Sequence, residues 1–397
     1  MTSFRTWEFS ERIAGLQNLL RQRAVALAIL TQNSDIYYYT GSLQPLYLLV
    51  PDRGEPLILA RKSLDRIREE AGHIGLGVFY NSKDLLRLLE PYQMDGEKQI
   101  GFTLDATSYA TVERFRQLCG GAGITDLSFD IRWLRLVKSE SEISIQAAAG
   151  KIIAHLPELV KEEFRPGMTE LELSAVIENY LRLHGHGLLV RCRKEGIECL
   201  GVCSAGENTL AGTKFDGICA GPGTSPAAPY GAAMTVIPPN VPVLLDYALV
   251  FEGYHVDQTR MFSWGEPPSE ALKAYQAMVE VEGALLECLK PGILWLEVFE
   301  RAAGRAAELG YEKEFMGLGP EKVRFVGHGV GLELDEPPFL APKMKYRLEA
   351  GMVVAVEPKV ALPGIGVVGI EDTLVIGDGG PELLTKCSPE FLILQPS

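Results

Sequence analysis

Short apolar runs alternate with amphipathic stretches from about residue 7 to residue 128 of the chain. The apolar runs have the length of strands, and the amphipathic stretches repeat with the period of a helix. This alternation is typical of an α/β domain. The predicted strands cover residues 25–30, 46–50, 57–60 and 76–80, and the predicted helices cover residues 9–21, 63–70 and 82–89. The polar residues of the segment 33–41 predict a loop after the first strand.

The pattern changes near residue 135, where a polar stretch opens a long alanine-rich helical pattern that starts at Ile143. A chain of 397 residues is long enough for two or three domains. We therefore predict an N-terminal domain of residues 1–134 and a second domain of residues 135–397.

The second domain contains a weak internal duplication. A helical stretch breaks at Pro166-Gly167 and restarts, and another helical stretch does the same at Pro291-Gly292. A strand-rich stretch follows each pair of helices, at residues 241–262 and 353–376. The repeat predicts two similar halves, with the strands in the middle and the helices outside.

Each strand-rich stretch contains two acidic residues in apolar surroundings: Asp246 and Asp257 in one, Glu357 and Glu371 in the other. A buried carboxylate without a partner is costly, and a metal ion is a suitable partner. Each acid alone could equally be a hydrogen-bonded or ion-paired structural residue, but four acids that recur across a duplication favour one shared site. His328 is a fifth candidate, because its flanking glycines allow the imidazole a close approach.

Four carboxylates and one imidazole form an oxygen-rich ligand set that suits a bridged pair of Mn, Fe(II), Co or Zn ions. In such a pair the ions lie roughly 3.5 to 4 Å apart and activate a bridging water as the nucleophile. The sequence therefore predicts two divalent metal ions, with manganese as the first choice. The predicted metal ligands are Asp246, Asp257, His328, Glu357 and Glu371.

Composition narrows the class of protein. A formal net charge of -14 and a pI near 5.1 argue against a nucleic-acid-binding surface. The 47% hydrophobic and 23% charged residues are typical of a soluble globular enzyme. Seven cysteines without a Cys-x-x-Cys pair, together with a start that does not resemble a signal peptide, predict a cytoplasmic protein with no membrane partner.

These residues resemble the family of aminopeptidase P, prolidase and creatinase, whose catalytic domain has the pita-bread fold. The matching motifs are Leu245-Asp246, Gly253-Tyr254-His255-Val256-Asp257, Gly327-His328-Gly329-Val330-Gly331, Val356-Glu357-Pro358, Ile370-Glu371-Asp372-Thr373 and, near the start, Ile36-Tyr37-Tyr38-Tyr39-Thr40-Gly41. The resemblance implies a small α/β N-terminal creatinase-like domain, a pita-bread domain with a pseudo-twofold duplication, and a homodimer. It also implies that Asp257 and Glu371 bridge the two ions.

The chain departs from the family pattern at three positions. A second histidine is usual seven residues after the first, where this chain has Asp335, and another is usual where Pro229 precedes Tyr230. Gly369 stands where an arginine often supports the metal-site carboxylates. Loss of that cation and addition of Asp335 predict an unusually negative pocket, which would suit a cationic or zwitterionic substrate.

The candidate residues for chemistry follow from these motifs. The catalytic candidates are Glu357, Asp335 and His255. His255 is included because in a strand it would share a face with Asp257, two residues later. Tyr230, Tyr254 and Asp335 are the candidates for substrate binding.

The function predicted first is a metal-dependent hydrolase that resembles Xaa-Pro aminopeptidase or prolidase and cleaves an amide bond with a metal-activated water. One alternative is a metal-dependent lyase or hydrolase of a small zwitterionic or guanidino compound. The other is a catalytically weak binding protein on the same fold. The expected partner is a peptide or another small molecule.

Overall fold

The computed structural model describes residues 6–92, 94, 96–187, 190–193, 201–214 and 216–395. The chain divides into two compact units, Met1–Arg135 and Leu136–Ser397. This division lies beside the boundary that the sequence suggested. Within the described ranges, every helix is too short or too polar to cross a membrane.

The first unit is a mixed sheet with helices packed around it. The strands are β1 (Leu27–Leu30), β2 (Tyr47–Pro51), β3 (Leu57–Ala60), β4 (Gly75–Val78), β5 (Gln99–Phe102) and β6 (Gly123–Asp126). The helices are α1 (Thr6–Gln22), α2 (Asn33–Thr40), α3 (Leu64–Ala71), α4 (Ser82–Leu89), α5 (Tyr109–Leu118) and α6 (Ser128–Leu134). The strand order is β4-β3-β2-β1-β5-β6, with β2 antiparallel to both of its neighbours. Apolar residues of β1, β2, β3 and β5 form its core together with apolar residues of α4 and α5.

One element of this unit differs from the prediction. The segment 33–41 was expected to be a loop, but it forms helix α2, which ends at Gly41. Gly41 has a left-handed conformation with φ of 74°, and its N–H donates to the carbonyl of Tyr37. Ile36 and Tyr39 are almost fully buried. Burial of this apolar face in the tertiary structure explains why a polar segment is helical.

The second unit contains the remaining elements. Its helices are α7 (Glu140–Ile153), α8 (Leu156–Glu163), α9 (Glu170–Leu183), α10 (Ser269–Cys288) and α11 (Trp295–Glu308). Its strands are β7 (Gly201–Ala205), β8 (Val243–Phe251), β9 (Tyr254–Trp264), β10 (Gly327–Gly329), β11 (Glu336–Phe339), β12 (Val353–Val356), β13 (Lys359–Leu362), β14 (Gly366–Gly369), β15 (Glu371–Gly377), β16 (Gly380–Leu383) and β17 (Leu392–Leu394).

The duplication predicted from the sequence is confirmed. Helix α8 is followed by the Gly167 turn and α9, and helix α10 is followed by the Gly292 turn and α11. Both glycines have φ of +95°, a left-handed conformation that favours glycine. In both copies a glutamate carboxylate accepts from the N–H three residues earlier: Glu172 from Thr169, and Glu297 from Leu294. Strands follow the helices in each half.

The strands of the two halves join in one sheet, with the order β11-β10-β12-β15-β9-β8-β7 and antiparallel neighbours along this path. Leu245, Tyr247 and Leu249 of β8 belong to the same buried cluster as apolar residues of α8 and α9. Successive side chains of a strand point to opposite faces. Asp246 therefore points to the sheet face opposite these helices.

Candidate metal centre

The pairing of strands β8, β9 and β15 places three candidate ligands close together. Asp246 of β8 lies opposite Thr259 of β9, and Glu371 of β15 lies opposite the same threonine from the other side. Asp257 precedes Thr259 by two residues and therefore shares its face of the sheet. Asp246, Asp257 and Glu371 thus point to one side of three neighbouring strands.

The remaining two candidates reach the same side through β12. His328 of β10 lies opposite Ala355 of β12, and Ala355 lies opposite Thr373 of β15. Thr373 follows Glu371 by two residues, and Glu357 follows Ala355 by two residues, just beyond the end of β12. The structure therefore brings all five predicted ligands to one face.

Three of the five side chains are close enough to share one ion. A potential ligand atom of each of Asp257, His328 and Glu371 lies within 4.8 Å of the others. His328 Nε2 is also 3.8 Å from Glu357 Oε1. One imidazole nitrogen with carboxylate oxygens is a suitable set for Mn, Fe, Co or Zn, so the residues present fit at least one divalent ion.

A lysine that the sequence analysis did not single out lies among the carboxylates. Lys359 Nζ is 3.1 Å from Asp246 Oδ2, 2.8 Å from Glu357 Oε2 and 2.8 Å from Glu371 Oε2. The side chain is 1% exposed. Its ammonium therefore contacts three of the five predicted metal ligands.

Gly369 explains how the lysine side chain fits. Lys359 of β13 lies directly opposite Gly369 of β14. A Cβ atom at position 369 would come within 2.5 Å of Lys359 Cγ, which is much closer than a normal contact. Glycine at this position therefore provides the space for the lysine side chain.

Lys359 also corrects the predicted charge of the pocket. The sequence predicts a site without a supporting cation, because glycine replaces the usual arginine at position 369. That prediction is wrong, since Lys359 supplies a cation from the opposite strand. The missed signal was a single lysine in the apolar segment 353–362, two residues after Glu357.

The charges of the site influence one another strongly. Burial raises the pKa of Asp246, Asp257 and Glu371. Burial alone would lower the pKa of Lys359, but the carboxylates beside it raise that pKa well above its ordinary value. The carboxylates around the lysine therefore favour its charged form.

His328 has a pKa above its usual value. Burial lowers the pKa of His328, but the nearby carboxylates of Glu357 and Asp335 raise this pKa by more. A metal ligand must present a neutral ring nitrogen, so an ion at His328 has to displace a proton as pH falls.

Neighbouring side chains hold the predicted ligands in position. Thr259 Oγ1 donates to Glu371 Oε2 at 2.8 Å. Behind the site, the guanidinium of Arg260 donates to both oxygens of Asp372 at 2.8 and 2.9 Å and to the backbone carbonyl of Glu371. Asp372 also accepts from Thr385 Oγ1. Such second-layer contacts fix the orientation of ligand side chains.

His255 shares a strand face with Asp257, as predicted, but both of its ring nitrogens bind backbone groups. Nδ1 lies 2.9 Å from the carbonyl of Gly331, and Nε2 accepts from the N–H of Arg191 at 2.9 Å. The ring is fully buried, and burial lowers its pKa to about 3. This arrangement favours a structural role over the catalytic role suggested from sequence.

The three candidates for substrate binding lie in different surroundings. Tyr254 is buried, and its hydroxyl donates to Glu142 of α7 at 2.8 Å, so it does not favour contact with a substrate. Asp335 is half-buried and close enough to His328 to influence its pKa. Tyr230 is half-buried in the loop before β8, where a substrate contact stays a prediction.

Comparisons with known proteins agree with this fold. Residues 145–378 match the sequence profile of metallopeptidase family M24, and residues 12–137 match that of the Creatinase/Prolidase N-terminal domain. An Xaa-Pro dipeptidase of Pyrococcus horikoshii is 26% identical over 387 residues, which cover 96% of this chain and 99% of that protein. An uncharacterized peptidase of Bacillus subtilis is 25% identical over 386 residues, which cover 96% and 100%.

Solved structures confirm the predicted fold class, a creatinase-like domain followed by a pita-bread domain. The crystal structure of the prolidase from Pyrococcus horikoshii superimposes with a TM-score of 0.80 at 24% identity. The superposition covers 96% of this chain and 100% of that one.

Proposed function

This chain belongs to metallopeptidase family M24, and on that premise we propose that it hydrolyses the amide bond between Xaa and Pro in short peptides. The observation that carries the proposal is the convergence of Asp257, His328 and Glu371 on one point, beside Asp246 and Glu357. The Xaa-Pro dipeptidase of Pyrococcus horikoshii, a relative of similar length, supports the choice of substrate.

The chain's own residues supply the proton transfer and the binding of the substrate. A divalent ion held at Asp257, His328 and Glu371 would polarise the scissile carbonyl and lower the pKa of a bound water. Glu357 lies beside His328, and its Oε1 is the acceptor for the proton that the attacking water loses. Lys359 holds the other oxygen of Glu357, which fixes the direction of the carboxylate.

Asp335 gives the site a preference among peptides. A dipeptide is a zwitterion, and the carboxylate of Asp335 near His328 suits its amino-terminal ammonium. We therefore expect free dipeptides to be better substrates than their N-acetylated forms.

The test is hydrolysis of Xaa-Pro dipeptides, N-acetylated dipeptides and longer Xaa-Pro peptides by the manganese-loaded chain. The variant Glu357→Ala, prepared in parallel, controls for contaminating peptidases. Turnover of dipeptides that falls about 100- to 10,000-fold in the variant supports the proposal. Failure of the fully loaded wild-type chain to cleave any Xaa-Pro peptide would overturn it.

Three finer features belong to the same proposal. Manganese is the ion to supply first, because carboxylates dominate the ligand set. The chain acts in the cytoplasm, which agrees with the free, buried thiols of Cys119, Cys203 and Cys219. It forms a homodimer, as the resemblance to prolidases implies, and light scattering of the purified protein tests this.

A further inference from the structure

We propose that the ammonium of Lys359 takes the place of one of the two cations expected at this site, so that the chain binds a single divalent ion. The ion lies at Asp257, His328 and Glu371. This inference deepens the proposed function and rests on it, because it concerns the number of ions at the same centre.

The ammonium is bound by carboxylates in every direction in which it can donate. A lysine ammonium has three N–H donors, and three different carboxylates lie within 3.1 Å of Nζ. Zinc and related ions bind carboxylate oxygens at about 2.0 to 2.2 Å. An ion bound to the same oxygens of Asp246, Glu357 and Glu371 would therefore occupy the space of Nζ or lie against it.

The backbone and the side chain of Lys359 are both held in place by the surrounding structure. Its carbonyl accepts from the N–H of Met316 at 2.9 Å, and its backbone pairs with β14. Its stem lies over Gly369, where no other residue would leave enough room. The side chain is 1% exposed, so it cannot reach water without a change in the surrounding structure.

The lysine leaves a complete site for one ion. Glu357 and Glu371 each use Oε2 toward the lysine and keep Oε1 as a second oxygen. Glu357 Oε1 faces His328 Nε2 at 3.8 Å, next to the cluster of Asp257, His328 and Glu371. Glu371 therefore lies between the two positive centres, with Lys359 on one side and the three-residue cluster on the other.

The first test is a count of manganese ions per chain. The wild-type protein is loaded with excess manganese, freed of unbound ions by dialysis, and measured by mass spectrometry of the metal. The inference predicts one ion per chain. Two ions per chain would overturn the inference and leave the proposed function intact, whereas no bound ion would overturn both.

The second test removes the lysine charge. Lys359→Met keeps most of the stem and frees three carboxylates, so we expect the manganese count to double from one to two. The matched control is Lys138→Met, which removes another buried lysine, paired with Glu336 at 2.8 Å. The control should keep one ion.

Circular dichroism shows whether each variant is folded before its ions are counted. A folded Lys359→Met protein that still binds one ion would contradict the role given to the lysine. The wild-type count tests the inference even if this variant does not fold.

Discussion

Lys359 lies directly opposite Gly369 in the β13–β14 pair, and the lysine stem fills the space that a side chain at position 369 would need. A Cβ atom there would also come within 2.6 Å of Lys359 Cα and of the carbonyl oxygen of Pro358. The lysine in the candidate metal site and the glycine beside it therefore form one structural unit. A side chain at 369 and the present position of Lys359 exclude each other.

Gly369→Ala should accordingly destabilise the protein. Because backbone atoms as well as the lysine stem are in the way, we expect the free energy of unfolding to fall by about 1–3 kcal/mol. Urea denaturation measures this change. Gly283→Ala is the control, since Gly283 is in helix α10 with open space around it and should gain about 0.5–1 kcal/mol. If Gly369→Ala is as stable as the wild-type protein, position 369 has room for a side chain beside Lys359.

The buried ion pair behind the candidate metal centre should be important for stability. Arg260 and Asp372 are each about 3% exposed and lie 2.8 Å apart. Arg260→Met would leave a buried carboxylate without its cation, which costs about 3–5 kcal/mol. The double variant Arg260→Met/Asp372→Leu should recover part of this loss, because it removes the uncompensated charge. If the single variant unfolds at the same urea concentration as the wild-type protein, the pair contributes nothing.

His255 should make stability fall at mildly acidic pH. Its pKa is lowered by burial to about 3 in the folded protein, whereas the unfolded chain has the ordinary value near 6.5. A lowered folded pKa means that the stabilisation is complete above about pH 6.5 and is lost as pH falls toward 3.

The size of this effect can be measured against a variant that does not titrate. Between pH 7 and pH 5 the wild-type protein should lose about 2 kcal/mol more than His255→Gln. Urea unfolding of both proteins at the two pH values gives this difference. Parallel pH dependence of the two proteins would mean that folding does not lower the pKa of His255.

Tyr254 should affect stability and not the binding of a substrate. Its buried hydroxyl donates to Glu142, and a hydrogen bond to a charged group contributes about 1.5–3 kcal/mol. Tyr254→Phe should lower the free energy of unfolding by this amount and leave KM for dipeptides unchanged. A clear rise in KM at unchanged stability would instead indicate that Tyr254 binds the substrate.

The candidate site could be predicted from the sequence because its signals are local. Isolated acids in apolar strands are costly to bury, so Asp246, Asp257, Glu357 and Glu371 indicated a shared cation from their surroundings alone. Their placement on one face also follows from the alternation of side chains along strands. The duplication was visible for the same reason, since both copies have a Pro-Gly turn between helices.

Two features were not predictable in this way. The position of Lys359 depends on the register between β13 and β14 and on the space left by Gly369, and neither is a property of nearby sequence. Helix α2 depends on burial of Ile36 and Tyr39 in the first unit, which overrides the turn preference of its polar residues. Both errors come from tertiary packing.

The most direct test of a metal centre is a crystal structure of the manganese-loaded protein, with anomalous scattering measured at the manganese absorption edge. We predict an anomalous peak within bonding distance of Asp257, His328 and Glu371, which approach one another within 4.8 Å. Absence of a peak among these three side chains would contradict the assignment of this site as the metal centre.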